Sequence, residues 1–232
     1  MTSSLRLRLP PAGTLSPIGV SDPLRFYYMP LVGRIFRARI DLGLRFLEGR
    51  YRRLLEVGYG SGLLLPTLGS VATEVYGVDL EERPAALPGI LARLGVQARL
   101  ERADIRRLPF PEAHFDGVVA FSILEHLKPD QLVEAAAEVA RVLQPGGTFL
   151  VGCPAVHAVM NAAFSAIGFS GIEHHHFSGI RQILAACAPH FDVERRATLP
   201  RMVGSLLPVG WAPYTVVLFR RRSAPGRPSG VA

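Results

Sequence analysis

The 232-residue chain has almost no lysine: of its 26 basic residues, Lys128 is the only one. Set against 19 acidic residues, the arginines leave a formal charge of +7 and are spread along the whole length. Scattered arginine without a nucleic-acid motif is a compositional habit, so no dedicated nucleic-acid partner is expected. The runs "RIFRAR" (34–39) and "RRRSAPGR" (220–227) concentrate the charge most. Cysteine is scarce too. Cys153 and Cys187 stand far apart, which excludes a disulfide framework and a CxxC zinc site. Both are expected as small buried hydrophobes of a reduced, cytoplasmic protein.

Unbroken apolar runs are also missing. The N-terminal residues have no continuous apolar stretch of the signal-peptide kind. Residues 146–172 and 202–219 carry no charge and approach the length of a membrane span. Proline and glycine break both, which argues against a spanning helix. Peripheral contact with a membrane surface stays open.

What the chain does have is an alternation of periods. Strand-like runs stand at 53–57, 73–78, 96–102, 115–121, 147–153, 191–198 and 214–221. Helical patterns fall at 62–69, 83–94, 130–143 and 178–187, with Pro66 deforming the first. Strand alternating with helix predicts an α/β fold with a parallel, doubly wound sheet. Residues 1–21 are rich in Pro, Ser and Gly and are expected to be a flexible segment. From 22 to 50, arginines and aromatics at helical spacing predict one or two helices, with Asp22 as N-cap and Pro30 or Gly33 as the break. Residues 223–232 read as a disordered tail.

The stretch "LLEVGYGSG" (54–62) sets three glycines at alternate positions behind a strand. Such a turn lets backbone approach a ligand closely. In an open parallel sheet, ligands lie beyond the carboxyl ends of the strands, so the residues at strand exits are informative. The second strand exits at Asp79, whose carboxylate suits the hydroxyls of a ribose. A dinucleotide dehydrogenase and an S-adenosylmethionine (SAM) enzyme would both use it. The spacing G-x-G-x-G differs from the dehydrogenase G-x-G-x-x-G, and Glu56 would repel a pyrophosphate but not a cationic amino-acid moiety. Asp104, at the third exit, suits the exocyclic amine of an adenine.

"LLEVGYGSG", "VYGVDL", "ADIRRLPFPEAHFDGVVAFSILEHL" and "LQPGGTFLVGCP" occur in that order across about residues 53–153. This set resembles the class I SAM-dependent methyltransferases of the small-molecule, type 11 kind. The resemblance implies a Rossmann-like sheet of about seven strands with the last antiparallel, SAM as cofactor and a methyltransferase domain over 51–222, preceded by cap or lid helices at 22–50. It implies Glu56, Gly58, Tyr59, Gly60 and Gly62 around the methionine part, Asp79 at the ribose and Leu80 beside the adenine. Asp104 would face the adenine amine with Ile105 next to it, and Phe121 and Ser122 would end the fourth strand against the cofactor.

The acceptor is less legible, because alignment of a nucleophile with an activated methyl need not use a conspicuous catalytic group. His126, in "LEHL", follows the fourth strand and is a candidate to orient or deprotonate an acceptor. "IEHHHFSG" holds Glu173, His174, His175 and His176 in a row, but consecutive side chains do not converge on one ion, so no metal is expected. The resemblance implies that His176, Phe177 and Ser178 open the next helix, with Ser178 as N-cap and His176 a second candidate at the acceptor. The apolar insertion near 155–176, with Phe26, Tyr27, Tyr28 and Met29, is expected to form a greasy lid. The acceptor is thus expected to be small and hydrophobic, methylated on O, N or C. The alternatives are an RNA or protein methyltransferase, or a SAM-binding partner subunit without catalysis.

Overall fold

The computed structural model describes residues 5–18, 22–155, 176–200 and 207–223. Two helices lead in, α1 (Leu24–Tyr28) and α2 (Val32–Leu44). Asp22 Oδ1 accepts the Leu24 N–H at 2.9 Å just ahead of α1. The chain breaks at Met29–Leu31 around Pro30, which has no N–H to continue a helix. Phe36, Ile40 and Leu44 recur at helical spacing along α2 and are buried, while Leu31 and Ile35 face solvent.

The strands are β1 (Tyr51–Val57), β2 (Ala72–Asp79), β3 (Ala98–Arg102), β4 (Phe115–Phe121), β5 (Leu143–Pro154), β6 (Phe191–Leu199) and β7 (Tyr214–Arg221). They form one sheet in the order β3-β2-β1-β4-β5-β7-β6, parallel from β3 to β5, with β7 antiparallel to both of its neighbours. Strand order reverses between β1 and β4, the crevice where such sheets bind ligands. Alternation along each strand feeds two cores, as a sheet covered on both faces requires. Leu54, Val75, Val119 and Leu150 pack under α1 and α2. Leu55, Val57, Val118, Phe149 and Val151 pack under α5 (Pro129–Val142) and α6 (Ile180–Cys187).

Several boundaries differ from the sequence expectation. The pattern at 62–69 contracts to one turn, α3 (Leu65–Leu68), with Pro66 inside its first turn. The pattern at 83–94 gives α4 (Leu87–Arg93), starting after Pro84. Helix α6 begins at Ile180 with Gly179 in the cap position, because the Ser178 hydroxyl donates to Leu127 O at 2.7 Å instead. The segment expected to be flexible also differs over 5–18. Leu15 and Ile18 are buried, the Leu7 N–H donates to Asp41 Oδ1 at 2.7 Å, and the Arg8 N–H donates to Thr67 Oγ1 at 2.9 Å. Of the lid, residues 156–175 lie outside the described residues, as do 224–232 of the tail.

Among the described residues no helix is long and apolar enough to cross a membrane. Several of the described arginines are answered by acids. Arg53 pairs with Glu74, Arg141 with Glu138, Arg195 with Glu48, Arg220 with Glu194 and Arg222 with Asp192.

Candidate functional site

The carboxyl ends of β1 to β4 bring the sequence candidates to one edge of the sheet. Gly58, Gly60 and Gly62 all take positive φ, and at two of them the reason is visible. A Cβ on Gly58 would overlap the side chain of Ile123, from the segment leaving β4. Gly60 turns its N–H onto Asp79 Oδ2 at 2.9 Å, tying the turn to the end of β2. Tyr59 points the other way: its ring is buried against Gly77, and burial raises its phenol to about 12.

Three carboxylates surround this turn. Glu56 is buried at 6% exposure, and its Oε2 has no hydrogen-bond partner among the described residues. Burial, then the charge of Asp79, holds its carboxyl well above the usual range. Asp79 Oδ1 also accepts the Glu81 N–H at 3.0 Å. Asp22, read from sequence only as a helix cap, reaches the turn from the opposite side. Its Oδ2 lies 3.6 Å from where a Cβ on Gly60 would stand, and it accepts hydrogen bonds from Ser61. So much unneutralised acid suits a cation and rejects a pyrophosphate. An ammonium donor at Glu56 would supply the partner that Oε2 lacks.

Further along the edge, Leu80 is 62% exposed at the exit of β2, an apolar surface free to lie against a planar ring. Asp104 stands beside it, since the Ala103 N–H donates to Asp79 O at 2.9 Å. Its carboxylate is engaged by Arg106, with Nε at 3.0 and 3.1 Å and Nη2 at 2.6 Å, which keeps it below its ordinary range. An amine at Asp104 therefore shares the carboxylate with a guanidinium. Ile105 is buried in the core on the α5 face.

Phe121 wedges between Gly43 and Gly152, where a Cβ on either glycine would strike its ring. Ser122 adopts a left-handed φ of 57° and donates its N–H to Gly152 O at 2.7 Å. Its hydroxyl meets the Tyr214 hydroxyl at 3.1 Å. Beneath lies Arg39, buried, donating to the Tyr27 hydroxyl at 3.1 Å with its guanidinium over the rings of Phe36 and Tyr214. Phe26 and Tyr27 pack against Phe36 rather than forming a lid surface.

The sequence candidates His126 and His176 come together, ring centroids 5.0 Å apart. His126 closes a 3₁₀ turn (Leu124–His126) three residues after Ile123, so the pair stands beside the glycine turn. Close to both lies Glu125, which sequence reading passed over. It is 1% exposed, and burial pushes its carboxyl up to about 8. A Glu-His pair enclosed by Leu124 and Leu127 was the available signal.

The family described as "Methyltransferase domain" matches residues 55–151. Over 108 residues the chain is 41% identical to a probable S-adenosylmethionine-dependent methyltransferase of Mycolicibacterium smegmatis, covering 44% of this chain and 38% of that protein. It is 31% identical over 103 residues to a ubiquinone biosynthesis O-methyltransferase of Dechloromonas aromatica, covering 41% of each. The chain thus spans less than half the length of these two relatives. Among solved structures it is similar to the N-methyltransferase NodS of Bradyrhizobium japonicum WM9 in complex with S-adenosyl-L-homocysteine. There the TM-score is 0.62 at 18% identity, covering 88% of this chain and 94% of that one.

Proposed function

We propose that this chain, whose residues 55–151 match the methyltransferase-domain family, is a class I SAM-dependent methyltransferase that methylates a small, apolar acceptor. The observation that carries the cofactor assignment is Glu56, a buried carboxylate lacking a partner at Oε2, beside a turn already lined by Asp22 and Asp79. SAM supplies a methyl group activated by its sulfonium. Glu56 holds the ammonium of the amino-acid moiety, while the backbone of Gly58–Gly62 packs along it. Asp79 accepts from ribose hydroxyls, Leu80 covers the adenine and Asp104 accepts from its amine. Phe121 and Ser122 line the floor with backbone carbonyls.

The remaining work is alignment. Holding an acceptor in line with the methyl can supply on the order of 7–11 kcal/mol of the barrier. His126 and His176 stand where they can orient an acceptor atom. A small-molecule acceptor is supported by the ubiquinone-biosynthesis relative.

Calorimetric titration with SAM, S-adenosylhomocysteine and NAD tests this reading. Micromolar binding of the two sulfur compounds, lost in Glu56→Gln, supports it. Silence with both, or binding of NAD in their place, overturns it.

A further inference from the structure

His126 and His176 are not an isolated pair. Glu125 lies close to both, with neither carboxylate oxygen hydrogen-bonded to another side chain among the described residues, although the residue is 1% exposed. One ligand atom from each of the three lies within 4.8 Å of the other two. The backbone builds this meeting deliberately. The N–H groups of Phe177 and Ser178 both donate to Glu125 O, at 2.8 and 3.2 Å, and the Ser178 hydroxyl closes onto Leu127 O. Three hydrogen bonds thus fix His176 against a turn that is remote from it in sequence.

A buried carboxylate with no side-chain donor is costly unless something cationic answers it. Arg39 is the described cation whose charge reaches Glu125, but its Nη2 is spent on Tyr27 and no hydrogen bond to Glu125 is formed. Two imidazoles on the other side of the carboxylate complete a donor set rather than a salt bridge. Glutamate oxygen with two histidine nitrogens suits a divalent transition ion and leaves coordination positions open.

We propose that Glu125, His126 and His176 bind one divalent transition-metal ion of the zinc, manganese or iron class. Its open positions face the acceptor. Resting on the methyltransferase reading, this makes the acceptor one that offers an oxygen to a metal, such as a hydroxyl or phenol. An ion about 2.1 Å from each donor needs donor atoms roughly 3–3.5 Å apart. The exposed His126 side chain can rotate to close that difference. Among the described residues, His176 supplies one ligand and the turn after β4 supplies the other two.

The test uses the full chain, freed of metal by chelation and dialysed against Zn2+ or Co2+. The expected result is close to one ion per chain at micromolar concentration, with a visible Co2+ spectrum of imidazole and oxygen ligation. Glu125→Gln and His176→Ala should each weaken binding 10- to 100-fold or more, and His190→Ala should not. Circular dichroism and SAM titration on the same samples report folding and the cofactor site separately. Glu125→Gln is isosteric and removes a buried charge, so it keeps the test readable if His176→Ala fails to fold. No stoichiometric ion in the unmodified chain overturns the proposal, as does binding that survives both substitutions. SAM binding without metal binding sinks the metal site alone, and metal binding without SAM binding sinks the methyltransferase reading.

Discussion

The N–H of Gly60 donates to Asp79 Oδ2 at 2.9 Å, so one carboxylate both shapes the glycine turn and presents itself to the ligand. Asp79→Ala removes an acceptor for two backbone N–H groups as well as the ribose partner. A hydrogen bond to a charged group contributes about 1.5–3 kcal/mol, so SAM affinity should fall at least tenfold and the melting temperature should fall with it. Asp79→Asn keeps one oxygen, and calorimetry should find it intermediate.

Glu56→Gln should separate stability from binding. With its pKa raised in the fold, Glu56 stays protonated where the unfolded chain has already ionised. The unfolded state then holds fewer protons, so stability falls as pH rises from the ordinary carboxylate range towards the folded pKa. Without ligand, the glutamine variant should be the more stable protein near neutral pH and should show a shallower decline in denaturant titrations at rising pH. It should lose SAM binding all the same. Equal pH profiles for the two proteins would show that Glu56 is not held neutral.

Gly58→Ala meets two separate obstacles, a φ of 73° and the Ile123 side chain. Left-handed backbone costs about 1–2 kcal/mol for an alanine. The double variant Gly58→Ala with Ile123→Ala should recover the steric part only. Thermal melts of the four proteins in the cycle would measure the coupling; strict additivity would mean that the side chain does not press on the turn.

Arg106 competes for the acid assigned to the adenine amine. The pair is about one-third exposed on each side, so Arg106→Ala should leave stability nearly unchanged. Asp104→Ala should weaken adenosine and SAM binding alike, while Arg106→Ala should leave binding equal or tighter. Weaker binding in Arg106→Ala would mean that the guanidinium itself serves the ligand.

The sequence was most legible where chemistry and backbone period coincide. Glu56, the glycines and Asp79 sit at strand exits because alternation gives out there, and all reach one edge of the sheet. Tyr59 and Ile105 follow the same spacing, yet packing turned their side chains into the core. What could not be read were meetings across the chain. Asp22 folds over Ser61 only because Leu15 and Ile18 anchor the preceding segment. Glu125 meets His176 only because backbone N–H groups at 177 and 178 seek its carbonyl. Neither contact leaves a periodic trace. Asp104 was visible as an acid at an exit, but its bond to Arg106 depends on the loop's curl after β3.

Strand β7 lies inside the sheet, and β6 joins it only through β7. During synthesis the chain therefore reaches residue 200 with β5 a bare edge and β6 a ladder without a rung. Unpaired edges are templates for pairing with other chains. The interval before residues 214–221 leave the ribosome is thus when this protein is most exposed to aggregation, and a stop codon anywhere in that interval leaves the same open edge for good.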